Sequence, residues 1–182
     1  MSANGTREQV PFGVGAAAGA AAWVLGYLCT YLITSSDIQN SLFGRVLEAA
    51  EIGVWQVVGW VFFNAHFVDT VVDLPVVGGA TSFVGGENGF TILLYVVPPL
   101  LLLAAGLAVG RYAGADDAAS AAVGGASLVI GYGLLSIVGV FLFPTENVSP
   151  DPVTGVLLAG VVYPVVLGAV GAAIAGATSS GS

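Results

Sequence analysis

Apolar residues are concentrated in five long runs, which short stretches of polar and small residues separate. The runs occupy residues 12–33, 53–72, 89–110, 118–143 and 152–177. A helix needs about 20 apolar residues to cross the hydrocarbon core of a bilayer, and each run meets that length. None shows the strict apolar–polar alternation of a membrane β-barrel strand. The pattern therefore predicts an all-α membrane protein, with a bundle of five transmembrane helices.

The two ends of the chain are short and polar. We predict a polar N-terminal tail over residues 1–11, a single transmembrane helical domain over 12–177 and a polar C-terminal tail over 178–182. The first run is longer than the core of a signal peptide, which has about 7–15 residues. We therefore expect this run to be retained as a helix.

An amphipathic segment precedes the second run. Ser36 and Asp37 are good candidates for an N-cap. From Ile38 to Glu51, apolar and polar residues fall almost entirely on opposite halves of a helical wheel, and the polar half is acidic. This segment predicts one interfacial amphipathic helix, with a turn-rich extension of the second span as the alternative.

Composition supports a membrane protein and argues against a nucleic-acid-binding protein. Hydrophobic residues make up 57% of the 182 residues and charged residues only 8%, against roughly 25% charged residues in soluble domains. The net charge is −8, and the chain contains no lysine. A surface of this sign repels nucleic acid, so we expect the lipid bilayer as a partner and no nucleic acid. The acidic, lysine-free composition also favours a halophile over a high-GC bacterium, because salt screens repulsion between the acids.

Three arginines carry the information on orientation in the cell (plasma) membrane. With five spans and the N-terminus outside, Arg45 and Arg111 lie in cytoplasmic loops and Arg7 lies outside. Asn4 and Asn147 both begin glycosylation sequons, and this arrangement places both on the outer side. The sequence thus predicts an outer N-terminus and a cytoplasmic C-terminus. The glycine-rich stretch 73–88 lacks the features of a phosphate-binding loop and is predicted to be a flexible connector.

The second run has an unusual density of polar and aromatic residues, and polar residues at membrane depth often mark function. Gln56, Trp60 and Asn64 recur every four residues, so a helix places them on one face as a candidate substrate path. His66 lies about 200° away on the wheel and is three residues from Asp69, which suggests a protonatable pair. Hydrogen bonding between helices, or an ordinary polar helix end, explains these residues equally well.

Two adjacent prolines interrupt the third run. Pro98 and Pro99 cannot donate a backbone hydrogen bond, so the helix is predicted to kink or break near the middle of the span. Broken helices form substrate sites in many transporters, although some prolines only bend a helix. Pro164 predicts a second kink in the fifth run.

Small residues form rows at the spacing that allows close helix packing. These rows include Gly15, Gly19, Gly160, Gly168 and Gly176. The sequence does not tell whether the facing helix belongs to the same chain. Residues 16–27 also match residues 121–132 without gaps, from an Ala-Ala-x-Gly start to a Gly-Tyr end. With five spans these two segments would run in opposite directions, as an inverted repeat.

Motifs of known enzymes are missing from the sequence, which contains no GxSxG or HExxH pattern. His66 is the only histidine and Cys29 the only cysteine, which excludes a haem held by two histidines and any site built on several cysteines. We therefore expect no enzyme activity, no metal and no cofactor.

The segment Gly59-Trp60-Val61-Phe62-Phe63-Asn64-Ala65-His66-Phe67-Val68 resembles an uncharacterised haloarchaeal family of small multi-pass membrane proteins, loosely labelled "transporter". That label adds no mechanism. Two hypotheses follow for this multi-pass protein. One is a transporter of a small solute or ion, which with five helices would act as a homo-oligomer. The other is a non-catalytic structural or assembly subunit that packs against a membrane-protein partner.

Overall fold

A computed structural model describes residues 12–73, 78–86, 89–114 and 117–179. The N-terminal tail, with Arg7 and the Asn4 sequon, lies outside these residues, as do residues 180–182. Among the described residues, four helices are long and apolar enough to cross a membrane: α1 Phe12–Asn40, α4 Ile92–Ala113, α5 Ala118–Leu142 and α6 Pro152–Ser179. Two shorter helices, α2 Leu42–Ala49 and α3 Val54–Asn64, follow α1 in the chain.

The second of the five predicted spans does not form a long helix. Its first part is α3, which has 11 residues and is therefore about 16 Å long, half the thickness of a hydrocarbon core. The chain then turns and forms strand β1, Thr70–Asp73. Hydropathy alone predicted a spanning helix here, because a buried short helix and a buried turn are as apolar as a span.

The structure also contains a small three-stranded sheet, which the prediction of an all-α fold did not include. Strand β1 lies between β2, Gly78–Thr81, and β3, Val148–Pro150, and both pairings are antiparallel. In register, Thr70 pairs with Thr81 on one side and with Pro150 on the other. The stretch 73–88, predicted as a flexible connector, therefore contains strand β2 and the last residue of β1. Its residues 74–77 and 87–88 lie outside the described part.

The interfacial helix begins later than predicted. Helix α1 continues through Ser36 and Asp37 to Asn40, and α2 starts after Ser41. The Ser41 hydroxyl accepts a hydrogen bond from the Gly44 backbone N–H at 2.9 Å and so caps α2. The predicted N-cap was wrong because two good capping residues in sequence do not end a helix that still has a buried face, and Ile38 is buried.

The long helices contact one another through glycines of this same chain. A Cβ atom at Gly19 would overlap the backbone of Leu128 in α5, and one at Gly131 would overlap Ala16 in α1. Gly168 in α6 lies equally close to the backbones of Gly106 in α4 and Gly125 in α5. The predicted glycine rows are therefore seams between helices of one chain. They include Gly15 against Ser127, Gly160 against Gly133 and Gly176 against Asp117.

These seams fix the helix directions. Along α1, Gly15 faces Ser127 and Gly19 faces Leu128 and Tyr132, while Trp23 reaches Gly139, so α1 and α5 run in the same direction. The predicted inverted repeat is therefore wrong in orientation, although its two segments do pack together. The error has one source, since counting residues 53–72 as a full crossing reverses every later helix.

The prolines of the third run do not break the middle of a helix. A short 3₁₀ turn, Ile92–Val96, precedes the α-helical part of α4, which begins at Val97, so Pro98 and Pro99 lie in its first turn. A helix leaves its first N–H groups unpaired, so proline is tolerated there. Pro164 follows a π-helical segment, Gly155–Val162, which widens α6 just before the residue that cannot donate.

Two helices begin with aspartate caps, of which Asp117 is exposed and Asp151 is half-buried. The Asp117 carboxylate accepts hydrogen bonds from the N–H groups of Ala119 and Ser120, and Asp151 accepts one from Thr154 N–H at 2.7 Å. The backbone bond from Ser120 lowers the pKa of Asp117, and the backbone bond from Thr154 does the same for Asp151. Both long helices therefore start at polar positions at opposite ends of the bundle.

We call the end of the bundle that carries α2 and the sheet the cap. It consists of α2, the three strands and residues 82–86 and 89–91, which approach one another around Trp60 and Phe83. Below the cap, an aromatic cluster joins α1, α3 and the end of α5. In it, Trp23 lies edge-on to Phe62 at 5.1 Å, and Tyr27 stacks on Phe143 at 5.5 Å between ring centroids.

Candidate functional site

Helix α3 enters the bundle from the cap and ends near the middle. Its residues from Val57 onward are all buried. Gln56 lies near Pro144, Phe63 near Gly139 and His66 beside Tyr132, so α3 runs antiparallel to α5 and stops about halfway along it. A helix that is apolar on all sides is expected in such a position, but a helix end among buried side chains has to be explained.

All four of the last carbonyls of α3 have a hydrogen-bond donor from the protein. The N–H of Ala65 bonds to Val61 O, and that of Phe67 bonds to Asn64 O. Phe63 O receives two backbone bonds, from His66 and Val68. The remaining carbonyl, Phe62 O, lies 2.8 Å from His66 Nδ1. An unpaired carbonyl in this apolar interior would cost several kcal/mol, so the turn satisfies the requirement for ending a helix there.

The turn after α3 is a Schellman motif with an unusual residue in its left-handed position. Phe67 has φ +59°, where glycine is the usual choice. The two characteristic bonds are present, from Val68 N–H to Phe63 O and from Phe67 N–H to Asn64 O. The Phe67 ring stacks on Tyr95 at 4.5 Å. This stacking offsets part of the strain of a side chain at positive φ.

Asn64 holds the turn to the cap. Its Nδ2 group donates to Val68 O at 2.8 Å and to Thr70 Oγ1 at 3.1 Å, and its Oδ1 accepts from the Phe83 N–H at 2.8 Å. Both amide protons and the carbonyl oxygen are thus in use. Because no donor is left over, Asn64 joins α3, β1 and Phe83 and is not free to bind a solute.

His66 holds the turn to the bundle. A carbonyl only accepts, so the contact with Phe62 O places the proton on Nδ1, and a neutral ring then accepts at Nε2. The Tyr132 hydroxyl lies 2.6 Å from Nε2 and therefore donates to it. The imidazole is completely buried and also packs against Tyr163, at 5.0 Å between ring centroids. We call His66, Tyr132 and Tyr163 the central cluster.

The other residues of the predicted path support the start of α3. Gln56 Oε1 accepts from the Gly53 N–H at 2.9 Å, which caps α3, and its Nε2 lies 3.5 Å from Pro144 O. Trp60 Nε1 donates to Phe143 O at 2.9 Å. Gln56, Trp60 and Asn64 therefore follow one face, as the helical spacing predicted, but each is bonded within the chain. Pro98 and Pro99 belong to the first turn of α4 and make no bond with them.

The structure does not form the predicted pair of His66 and Asp69. The helix ends at Asn64, so the i, i+3 spacing that suggested the pair does not apply. Both ring nitrogens of His66 have other partners, whereas Asp69 is exposed and its backbone carbonyl accepts from the Asp151 N–H.

Sequence reasoning missed Tyr132, Tyr163 and Thr70 as partners of the polar residues. Tyr132 is part of the segment 121–132 that matches residues 16–27, yet nothing in a single sequence connects it with His66, which is 66 residues away. One turn after Tyr132, the Ser136 hydroxyl is buried and has no hydrogen-bond partner among the described residues. The one sequence feature that could have indicated these partners is the pair Tyr132 and Ser136, four residues apart in an otherwise apolar run.

A cavity of about 470 Å³ opens in the cap, and one residue of α3, Trp60, is part of its lining. Its walls are mainly apolar and include Leu47, Ile52 and Val72, and the almost fully buried Trp60 and the half-buried Phe83 also border it. Those two rings lie 6.3 Å apart, nearly parallel. Glu146 contributes a carboxylate at the exposed edge. Trp60 is thus the one predicted path residue that lines this cavity.

Comparisons with known proteins give a family but no activity. Among the described residues, no group of three His, Cys, Asp or Glu side chains is arranged to hold a metal ion. No curated protein matches the chain significantly, and no solved structure does so either. One family model, described as a family of unknown function (DUF7978), matches residues 1–179, so the chain belongs to that family.

Proposed function

We propose that the protein is an integral membrane protein in which four helices cross the bilayer and α3 enters it only halfway. The four long helices have 22 to 29 residues, which corresponds to about 33–43 Å against a core of about 30 Å. Large apolar side chains cover their outer faces, including Leu32, Leu134 and Phe141, which are 61–79% exposed. Such a surface is suited to lipid and not to water.

An even number of crossings changes the proposed orientation. Four crossings put both ends of the chain on one side of the cell membrane. Arg7 and Arg111 then share that side, and the cap carries only Arg45. The positive-inside rule therefore favours cytoplasmic termini and an external cap. The acids Asp37, Glu48, Glu51, Asp69, Asp73 and Glu146 then face outward.

This orientation can be tested by labelling on intact cells. In a Cys29→Ser background, an impermeant maleimide should label Ala80→Cys in the cap and leave Ala113→Cys at the opposite end unlabelled. Both positions are exposed in the structure, so a difference would reflect the membrane and not burial. The reverse labelling pattern would place the cap in the cytoplasm.

We propose further that the protein moves a small solute or ion, with the cap cavity and α3 at the start of the path. The observation that carries this proposal is the end of α3 at mid-bundle, with the central cluster around it. An ionisable side chain at that depth is expensive and is a functional candidate by default. Half-length helices that end at the midplane are also a recurring part of transporters. In this proposal the bond between His66 and Tyr132 holds the path closed.

Flux measured in liposomes tests the transport proposal. Purified protein would be reconstituted with an entrapped pH-sensitive dye, and proton and K⁺ flux would be compared with protein-free liposomes. Tyr132→Phe removes the hydroxyl that bonds to His66, so we expect it to change the flux several-fold. Tyr112→Phe is the matched control, because Tyr112 is 72% exposed at the far end of α4. Both variants must elute as monodisperse particles.

Equal flux from the wild type, Tyr132→Phe and empty liposomes would contradict the transport of these ions. Replacing both Gln56 and Asn64 by leucine would test transport poorly, because the loss of Asn64 would disrupt the turn whether or not the protein is a transporter.

The second candidate is a non-catalytic subunit of a membrane complex. The observation in its favour is that Gln56, Trp60 and Asn64 use their polar groups within the chain. A partner would then have to dock on outer faces, because the glycine seams already contact helices of this chain. Isolation of the tagged protein from native high-salt membranes distinguishes the two. A stoichiometric foreign protein would favour the subunit, and a homo-oligomer would favour transport.

A further inference from the structure

We propose that the cap cavity binds an apolar organic cation. The proposal rests on the proposed function only to the extent that such a cation would be the first bound state of a transported substrate. Binding itself does not require transport. The volume of about 470 Å³ lies within the range of about 300–1,000 Å³ that is typical of small-molecule sites.

The aromatic part of the site comes from Trp60 and Phe83. The rings are nearly parallel, with 28° between their planes, and both line the cavity. The faces of aromatic rings attract cations. Trp60 is only 1% exposed, so the ring that is more accessible to a cation is that of the half-buried Phe83. The Trp60 ring is fixed in place because its Nε1 donates to Phe143 O. The site is therefore formed before any ligand arrives.

The apolar part of the site comes from three elements. Leu47 from α2, Ile52 from the turn before α3 and Val72 from β1 form walls that cannot hydrogen-bond through their side chains. Binding here would favour a ligand whose charge is buried within apolar groups. A small ion would have to keep its water shell to pass these walls, so it would bind here only weakly.

The sign of the charge comes from Glu146. Its carboxylate is on the edge of the cavity, and none of the described residues that line the cavity is cationic. Acids also outnumber the single Arg45 in the rest of the described cap. An anion of the same size and shape would meet the same apolar walls but an unfavourable field.

Two ions of nearly equal shape and opposite charge provide the test. Tetraphenylphosphonium is the cationic probe and tetraphenylborate the anionic one. Binding to the full-length protein in detergent would be followed by equilibrium dialysis and by the fluorescence of Trp60, with the other tryptophans replaced by phenylalanine. We expect the cation to bind at least tenfold more tightly and its affinity to fall as salt rises. Equal affinity for both ions, or no binding of the cation, would overturn the proposal.

Two pairs of variants locate the site. Glu146→Gln should weaken cation binding about two- to five-fold, because the carboxylate is exposed, whereas Glu48→Gln removes an acid of the cap that does not line this cavity. Val46→Trp should obstruct the cavity and reduce binding at least tenfold. Its control, Leu42→Trp, lies one turn earlier on α2 and outside the lining. If both members of a pair behave alike, the cation binds elsewhere.

These outcomes separate binding from transport. Cation binding without any flux in liposomes would leave the site in place and contradict the proposed transport. Flux without cation binding would support the proposed transport, of another solute, and would contradict the assignment of this site.

Discussion

The long helices and α3 solve the same problem in different ways. Every helix leaves unpaired backbone groups at its ends. In the long helices, several of these groups bond to side chains at the ends of the bundle, such as the exposed Asp117 and the half-buried Asp151. The carbonyl end of α3 lies among buried side chains, and there the protein itself supplies every partner.

This difference explains where the polar residues of the chain are found. The long helices need small residues so that their backbones approach closely, and their interiors contain few polar side chains. The end of α3 needs Asn64 and His66, which connect it to the cap and to α5 respectively. A cluster of polar residues in an apolar run therefore indicates a helix end inside the bundle as well as it indicates a transport path.

Breaking a seam between long helices should have the largest effect. Gly131→Leu puts a side chain against the Ala16 carbonyl and the Ala20 backbone nitrogen of α1. Since neither backbone atom can move without separating the helices, we expect a loss well above the 1–3 kcal/mol of ordinary overpacking and little folded protein. Gly13→Leu is the control, because a Cβ there meets nothing within 4 Å. Chromatography of fluorescent fusions in detergent would compare them, and similar elution profiles would show that the seam is not tight.

Breaking the polar end of α3 should have the next largest effect. Asn64→Leu leaves the Phe83 N–H, Val68 O and Thr70 hydroxyl without the partners they now have. At about 1–3 kcal/mol for a buried unpaired group, we expect at least about 3 kcal/mol of destabilisation in thermal denaturation.

Asn40→Leu is the matched control for Asn64→Leu. Asn40 is exposed and its amide makes one bond, to Ser36 O, so its loss should cost less than about 1 kcal/mol. If the two variants melt together, the bonds of Asn64 do not support the turn.

The difference between the long helices and α3 also determines how much of the fold could be predicted from the sequence. Four of the five apolar runs correspond to the four long helices, since periodicity and length are local signals. The prediction for residues 53–72 was wrong because a half-length helix differs from a spanning helix in the residues that pack around it, and not in its own apolar composition. The hydrogen bond from Tyr132 to His66 and the pairing of β1 with β3 join residues far apart in sequence. No window along a single chain contains both partners.

The residues that α3 contributes to the candidate site were predictable from the sequence, but their partners and their roles were not. The helical spacing placed Gln56, Trp60 and Asn64 on one face, whereas His66 lies beyond the end of the helix, where the wheel does not apply. Their partners are backbone groups such as Phe143 O and the Phe83 N–H, and a sequence does not show where those groups lie. The prolines show the same limit. Pro98 would kink a helix at its centre but is tolerated in a first turn, and the sequence alone did not show where the helix begins.

The strained turn sharpens the comparison at a smaller scale. Phe67 has φ +59° and its ring stacks on Tyr95. Phe67→Ala loses the stacking but keeps a Cβ in the left-handed region, whereas Phe67→Gly loses the stacking and the strain together. We expect the glycine variant to be more stable than the alanine variant by about 1 kcal/mol. The opposite order would mean that the turn is not left-handed in solution.

Removing the unpaired hydroxyl next to the central cluster should have the smallest effect. Ser136→Ala deletes a buried group that has no hydrogen-bond partner among the described residues, so we expect a loss below about 0.5 kcal/mol, or a gain. Tyr132→Phe, one turn earlier on the same helix, leaves His66 Nε2 without its donor and should cost about 1–2 kcal/mol. Thermal denaturation of both variants in one detergent compares a used and an unused hydroxyl at the same depth. A larger loss for Ser136→Ala would show that its hydroxyl has a partner, such as a buried water, and that the polar centre extends beyond the end of α3.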